Sequence, residues 1–175
     1  SVVVYSGFDG SVVYQINGVV AERRLGFAVS AVADTNGDGV GDFLVSEPGP
    51  VVSTVQTFGK VYLYSGASGS LLQQFVAPEP DSHFGMSVAG AGDVNADGFA
   101  DIIVGMSGAE VNLLIDAGSA FVYSGATGLL LHRLDGANSN SRFGVAVDSA
   151  GDTNGDGFAD LIVGGSGDTP SGIPY

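Results

Sequence analysis

Apolar residues in this chain fall in short runs, without helical spacing. Three runs, "DFLVS" from Asp42, "DIIVG" from Asp101 and "DLIVG" from Asp160, are apolar at successive positions. A strand of that kind needs cover on both faces of its sheet. Elsewhere "KVYLYSGASGSLLQQF", from Lys60, sets two β-branched and aromatic runs on either side of a Ser/Gly turn, the pattern of a hairpin. Glycine-rich stretches separate the runs, and none approaches the roughly 18 apolar residues of a membrane-spanning helix. The pattern predicts an all-β chain of short antiparallel strands.

The same landmarks recur at a fixed step. "DTNGDGVGD" starts at Asp34, "DVNADGFAD" at Asp93 and "DTNGDGFAD" at Asp152, a spacing of 59 residues each time. "SVVVYSG" from Ser1, "KVYLYSG" from Lys60 and "SAFVYSG" from Ser119 keep that register, as do "LGFAV", "FGMSV" and "FGVAV" from Leu25, Phe84 and Phe143. The chain is one module, 1–175, of three repeats: 1–59, 60–118 and 119–175. Each repeat supplies four strands, one before the acidic nonapeptide, one after it and two in the hairpin. Four-stranded units stacked on like units are the blades of a β-propeller. A sandwich or a solenoid fits less well, solenoid coils being nearer half this period. Because the chain starts on the third strand of a unit, whole blades are expected near 25–76 and 84–134, with half-blades at 1–17 and 143–167.

Composition narrows the partners. Of 175 residues, 29 are glycine and only 5 are Lys or Arg, and the net charge is −14, so the basic footprint that phosphate binding requires is missing and nucleic acid is excluded. The absence of cysteine removes disulfides and thiolate metal sites. The chain opens without Met or a leader, as a processed protein or an excised piece would.

A cation is the partner this charge suggests. Three carboxylates within nine residues repel one another unless an ion held by oxygens neutralises them. In each nonapeptide the donors alternate at positions 1, 3 and 5, around a turn that glycine at position 6 permits. Position 7 offers a backbone carbonyl and position 9 a last carboxylate. The candidate ligands are Asp34, Asn36, Asp38, Val40 and Asp42; Asp93, Asn95, Asp97, Phe99 and Asp101; and Asp152, Asn154, Asp156, Phe158 and Asp160. All-oxygen ligation selects Ca²⁺, and Mg²⁺ less well. About three ions per chain are expected, acting as structural ligands. An EF-hand loop begins in the same way, but it needs an acid at position 12, where this chain has Val45, Val104 and Val163. A metal-free Asx turn would explain one such loop more readily than three in register.

With these loops, the "FG" pairs at Phe84-Gly85 and Phe143-Gly144, and "DIIVG" and "DLIVG" followed in each repeat by "VYSG"-type strands, the sequence resembles the FG-GAP repeats of integrin α-subunit β-propellers and their bacterial relatives. The resemblance covers essentially the whole chain. It departs from the pattern at Leu25, which stands where the first unit should have phenylalanine, and at "GAP", whose nearest counterparts are "SEP", "GMS" and "GGS". It implies structural Ca²⁺ between the first two strands of each blade, an extracellular or cell-surface location, and adhesion or recognition of a protein ligand. A lectin-like propeller binding glycans is the alternative, weakened by the absence of Trp. A further alternative is a non-catalytic propeller piece of a larger secreted protein or enzyme.

No catalytic residues are expected. His83 and His132 occupy different places in the repeat, no nucleophile elbow is present, and the acids are committed to the loops. Arg23, Arg24 and Arg142 read as solvated turn residues, and Tyr62, Tyr64, Phe121 and Tyr123 as packing between blades. Three blades are too few to close a ring, so the chain is expected to be half of a six-bladed ring, a head-to-tail homodimer.

Overall fold

The computed structural model describes residues 1–19, 23–50, 56–80 and 82–167. Parts of two expected spans, residues 51–55 of the first blade and 168–175 of the last repeat, lie outside the described residues. The described chain is all β. Twelve strands run in order: β1 (Val2–Tyr5), β2 (Val12–Ile16), β3 (Val29–Val32), β4 (Asp42–Glu47), β5 (Lys60–Tyr64), β6 (Leu71–Val76), β7 (Phe84–Gly92), β8 (Asp101–Met106), β9 (Ser119–Tyr123), β10 (Leu130–Asp135), β11 (Ala146–Gly151) and β12 (Asp160–Gly164).

These strands form two four-stranded antiparallel sheets, β3-β4-β5-β6 and β7-β8-β9-β10, and two hairpins, β1-β2 and β11-β12. The four-stranded units are propeller blades. Sequential neighbours pair throughout, because Ser/Gly turns such as 65–70 reverse the chain within a few residues and Ser65 closes them through bonds to Ser70 and Gly69. The blades stack in chain order, β3 packing on β7 and β7 on β11.

Two apolar layers hold the stack together. Between the two whole blades lie Leu44, Leu63 and Phe75 from one side and Ile102, Val104 and Phe121 from the other. Between the second blade and the β11-β12 hairpin lie Ala89, Ile103 and Val122 against Leu161 and Val163. Successive residues of β8 therefore enter different layers, which is why its sequence does not alternate, and all six are buried.

The aromatic residues divide. Phe75 and Tyr123 meet across the blade interface with ring centroids 4.7 Å apart, and Phe84 meets Phe121 edge-on at 6.0 Å. Tyr64 stacks instead on Phe43 of its own sheet at 5.5 Å, and the Tyr62 hydroxyl donates to Glu47.

Each blade starts with the same backbone device. Arg24, His83 and Arg142 have φ of 60°, 62° and 51°, and the glycines two residues on, Gly26, Gly85 and Gly144, have φ of 86°, 83° and 85°. A side chain at Gly85 would also press on Ser46 Cβ at 3.2 Å, so the glycine of "FG" serves both conformation and close packing. Arg24 departs from the expected solvated role: its Nε donates to Gly49 O at 2.6 Å and its guanidinium lies 4.7 Å from the Phe27 ring centroid. Arg23 pairs with Glu47 at 3.6 Å. Arg142, His83 and His132 are exposed.

Candidate metal loops

The three acidic nonapeptides are the connections from β3 to β4, β7 to β8 and β11 to β12. Each is a turn wound around its first aspartate. Asp34 Oδ1 accepts the N–H groups of Asn36, Gly37 and Asp38, and its Oδ2 that of Gly39 at 2.7 Å. These donors, Gly39 foremost, hold the Asp34 carboxyl below its ordinary pKa. Asp93 and Asp152 repeat the arrangement, with Oδ2 accepting from Gly98 at 2.9 Å and from Gly157 at 3.0 Å. Side-chain oxygens at positions 3 and 5 close smaller Asx turns: Asn36 Oδ1 accepts from Asp38 N at 2.9 Å, and Asp38 Oδ1 from Val40 N at 2.9 Å.

Position 9 has a second task. Asp42 is buried; its Oδ2 accepts the backbone N–H of Thr35 at 3.0 Å and the Thr35 hydroxyl, while Oδ1 accepts Gly66 N–H, from the β5-β6 turn, at 3.0 Å. Asp101, fully buried, takes Val94 N–H at 2.8 Å and Gly125 N–H at 3.2 Å. The last carboxylate thus fastens loop, second strand and hairpin turn together. Burial pushes the Asp101 carboxyl up, the Val94 and Gly125 bonds oppose it, and the charges of Asp97 and Asp93 add to the rise. At Asp160 the direction reverses: bonds from Thr153 hold it down.

Neighbouring loops are also tied to each other. Ala100 N–H donates to Asp34 O at 3.2 Å, Ala159 N–H to Asp93 O at 3.0 Å, and the Phe99 ring lies against Gly37.

The structure places the carboxylates of each loop on one turn, but their oxygens fold onto backbone N–H groups, and no ready-made cluster of three or more His, Cys, Asp or Glu ligands is gathered among the described residues. The donor set nonetheless fits a hard divalent cation. Every donor is oxygen, each carboxylate offers about four lone-pair sites, and no Lys or Arg pairs with a loop acid among the described residues, the ion pairs there being Arg23–Glu47 and Arg133–Asp135. Sequence reasoning did not reach the anchoring by Gly66 and Gly125, although both stand at the glycine of the repeated "YSG".

Residues 84–112, from β7 through the second loop and β8, match the family model described as FG-GAP repeat. That segment is an FG-GAP repeat. The chain's similarity to integrin alpha subunits is wider than that match. It is 32% identical over 148 residues to integrin alpha-V of Gallus gallus, covering 81% of this chain and 14% of the relative. Over 184 residues it is 30% identical to integrin alpha-5 of Xenopus laevis, covering 95% of this chain and 17% of the relative. To integrin alpha-7 of Mus musculus it is 34% identical over 162 residues, covering 86% and 13%. The chain therefore spans about a seventh of the length of these curated relatives. No described helix is long and apolar enough to cross a membrane.

Proposed function

We propose that this chain is a calcium-binding β-propeller module for extracellular adhesion or protein-ligand recognition, with Ca²⁺ as a structural ligand and no catalysis of its own. The observation that carries the reading is the triple acidic loop. Nine of the 19 acidic residues sit in three equivalent turns, and no basic side chain neutralises those turns among the described residues. Asp34, Asn36, Asp38 and Asp42, with the Val40 carbonyl, would hold the first ion. The second would lie on Asp93, Asn95, Asp97, Asp101 and the Phe99 carbonyl, and the third on Asp152, Asn154, Asp156, Asp160 and the Phe158 carbonyl. A bound ion would cancel repulsion within the loop and stiffen the turn that the last aspartate fastens to the blade. The similarity to integrin alpha subunits supports an extracellular or cell-surface setting and a recognition role.

An ion bound by the folded loops and poorly by the unfolded chain raises stability by mass action. Calorimetry with Ca²⁺ and with EDTA should therefore show a lower melting temperature in EDTA, and isothermal titration should find about three sites, with Asp97→Ala weakening one of them. Mg²⁺ should substitute poorly, since it demands a tighter octahedron and keeps its waters. An unchanged melting temperature together with no titratable calcium would refute the reading. Strong calcium-dependent binding on a glycan array would instead assign the recognition surface to sugars.

A further inference from the structure

Position 3 of the acidic loop is asparagine in every repeat, but the residue after it differs. Asn36 precedes Gly37 and Asn154 precedes Gly155, whereas Asn95 precedes Ala96. The difference matters because an asparagine carboxamide is an electrophile within reach of the next backbone nitrogen, and only glycine leaves that approach free of a side chain. All three asparagines are exposed, so water has access to them.

The turn wound around the first aspartate prepares both reacting atoms in the two glycine-bearing loops. Gly37 N–H donates to Asp34 Oδ1 at 2.7 Å, and Gly155 N–H to Asp152 Oδ1 at 2.7 Å. A carboxylate base thus sits on the proton that the attacking nitrogen must lose. At the carboxamide, Asn36 Oδ1 accepts Asp38 N–H at 2.9 Å and Asn154 Oδ1 accepts Asp156 N–H at 2.8 Å. These donors polarise the carbonyl and face the negative charge that develops on its oxygen under attack. In the middle loop Asn95 Oδ1 has the matching donor, Asp97 N–H at 3.0 Å, but Asp93 accepts from Asp97 and Gly98 rather than from Ala96.

We propose that Asn36 and Asn154 are sites of spontaneous deamidation and that Asn95 is spared. The glycine nitrogen gives up its proton and bonds to the asparagine Cγ, the Cγ–Nδ2 bond breaks, and the amide nitrogen leaves as ammonia with that proton, forming a cyclic imide. Water then opens the imide. Cleavage between Cγ and the glycine nitrogen restores the backbone with aspartate in place of asparagine; cleavage at the main-chain carbonyl leaves isoaspartate, with an extra carbon in the backbone. One water is consumed for each ammonia released, and nothing is oxidised or reduced. Either product puts a fourth carboxylate on a nonapeptide that has three, in a chain already at a net charge of −14. Isoaspartate also lengthens the turn between Asp34 and Gly39, whose bonds from Asp38 and Gly39 to Asp34 depend on its spacing. The first and third loops therefore carry a chemical clock that the middle one lacks.

Incubation of the 175-residue chain in mildly alkaline buffer at physiological temperature, followed by mass mapping of proteolytic fragments, tests this. A chelator is present throughout, so the outcome reads the loop's own bonds and is separate from the calcium reading. Asn17-Gly18, exposed and outside the loops, is the internal reference for the same dipeptide. Asn36 and Asn154 should gain the mass of the acid at a rate within about tenfold of Asn17, and Asn95 should lag them by about tenfold or more. Ala96→Gly, which needs no new backbone because Ala96 already has a φ of 58°, should bring Asn95 to the rate of the other two. Gly155→Ala, whose added methyl group meets nothing within 4 Å, should protect Asn154 and leave Asn36 converting. Ion exchange should resolve the more acidic products, and a protein isoaspartyl methyltransferase should label the isoaspartate fraction. Asn36 and Asn154 that keep their amides, or that lag Asn17 by more than about tenfold, overturn the proposal. So does an Asn95 that converts as fast as they do in the unmodified chain, or one that stays an amide in the Ala96→Gly chain.

Discussion

Strands β8 and β12 begin "DIIVG" and "DLIVG", which differ at one residue, and follow nearly the same loop. In β8 every residue is buried; in β12 none is, and Ile162 is 60% exposed where Ile103 is sealed. Their leading aspartates differ too. Asp101 is buried and its carboxyl pushed up; Asp160 is more exposed and held down by Thr153. Nothing in the five residues explains the contrast. Sheets stand on both sides of β8, whereas among the described residues β12 faces only the sheet of β7 to β10. A strand apolar on both faces is thus a demand for two neighbours.

The comparison can be broken most forcefully at the isoleucines. Ile103→Ala should cost about 2–5 kcal/mol, the usual range for emptying a buried aliphatic site. Ile162→Ala in the same 175-residue chain should stay within about 0.5 kcal/mol. Urea unfolding of the two variants decides it, and equal losses would break the comparison. A glycine pair comes next. Gly125→Ala drives a methyl group at the Ala100 carbonyl and should cost about 1–3 kcal/mol, whereas the same change at Gly7, where a Cβ meets nothing, should leave the melting curve unmoved. The smallest effect concerns position 2 of the loops. Thr35 is buried and adds a hydroxyl bond to Asp42 that Val94 cannot give Asp101. Thr35→Val should therefore lose about 1 kcal/mol, and Val94→Thr should recover part of that amount in the middle blade, both read from thermal denaturation.

Much of the fold is visible in the residues. Glycine and serine at "SGASG" mark a turn because they tolerate its dihedrals, and the 59-residue step makes each strand of one repeat a guide to the next. The acidic loops are legible for the same reason: alternating oxygens around a glycine have few other uses. Less was legible where one residue serves two structures. Arg24 was expected to face solvent, but the left-handed turn before Leu25-Gly26 brings it over Phe27 and onto Gly49 O. Tyr62 is partly exposed where its equivalent Phe121 is buried, because the sheet on its side among the described residues is the two-stranded β1-β2. The anchoring of Asp42 by Gly66 joins residues 24 apart, and no local pattern announces it.

By itself, then, the sequence determined the strands, their turns, the threefold repeat and the chemistry of the loops. All of these depend on interactions among near neighbours: side-chain alternation, backbone dihedrals, and like charges held on one turn. The tertiary structure alone decided how deeply each of three near-identical strands is buried and which aspartates also fasten a hairpin. Those outcomes depend on which blade stands beside which, and a repeat carries the same residues whether or not its neighbour is present.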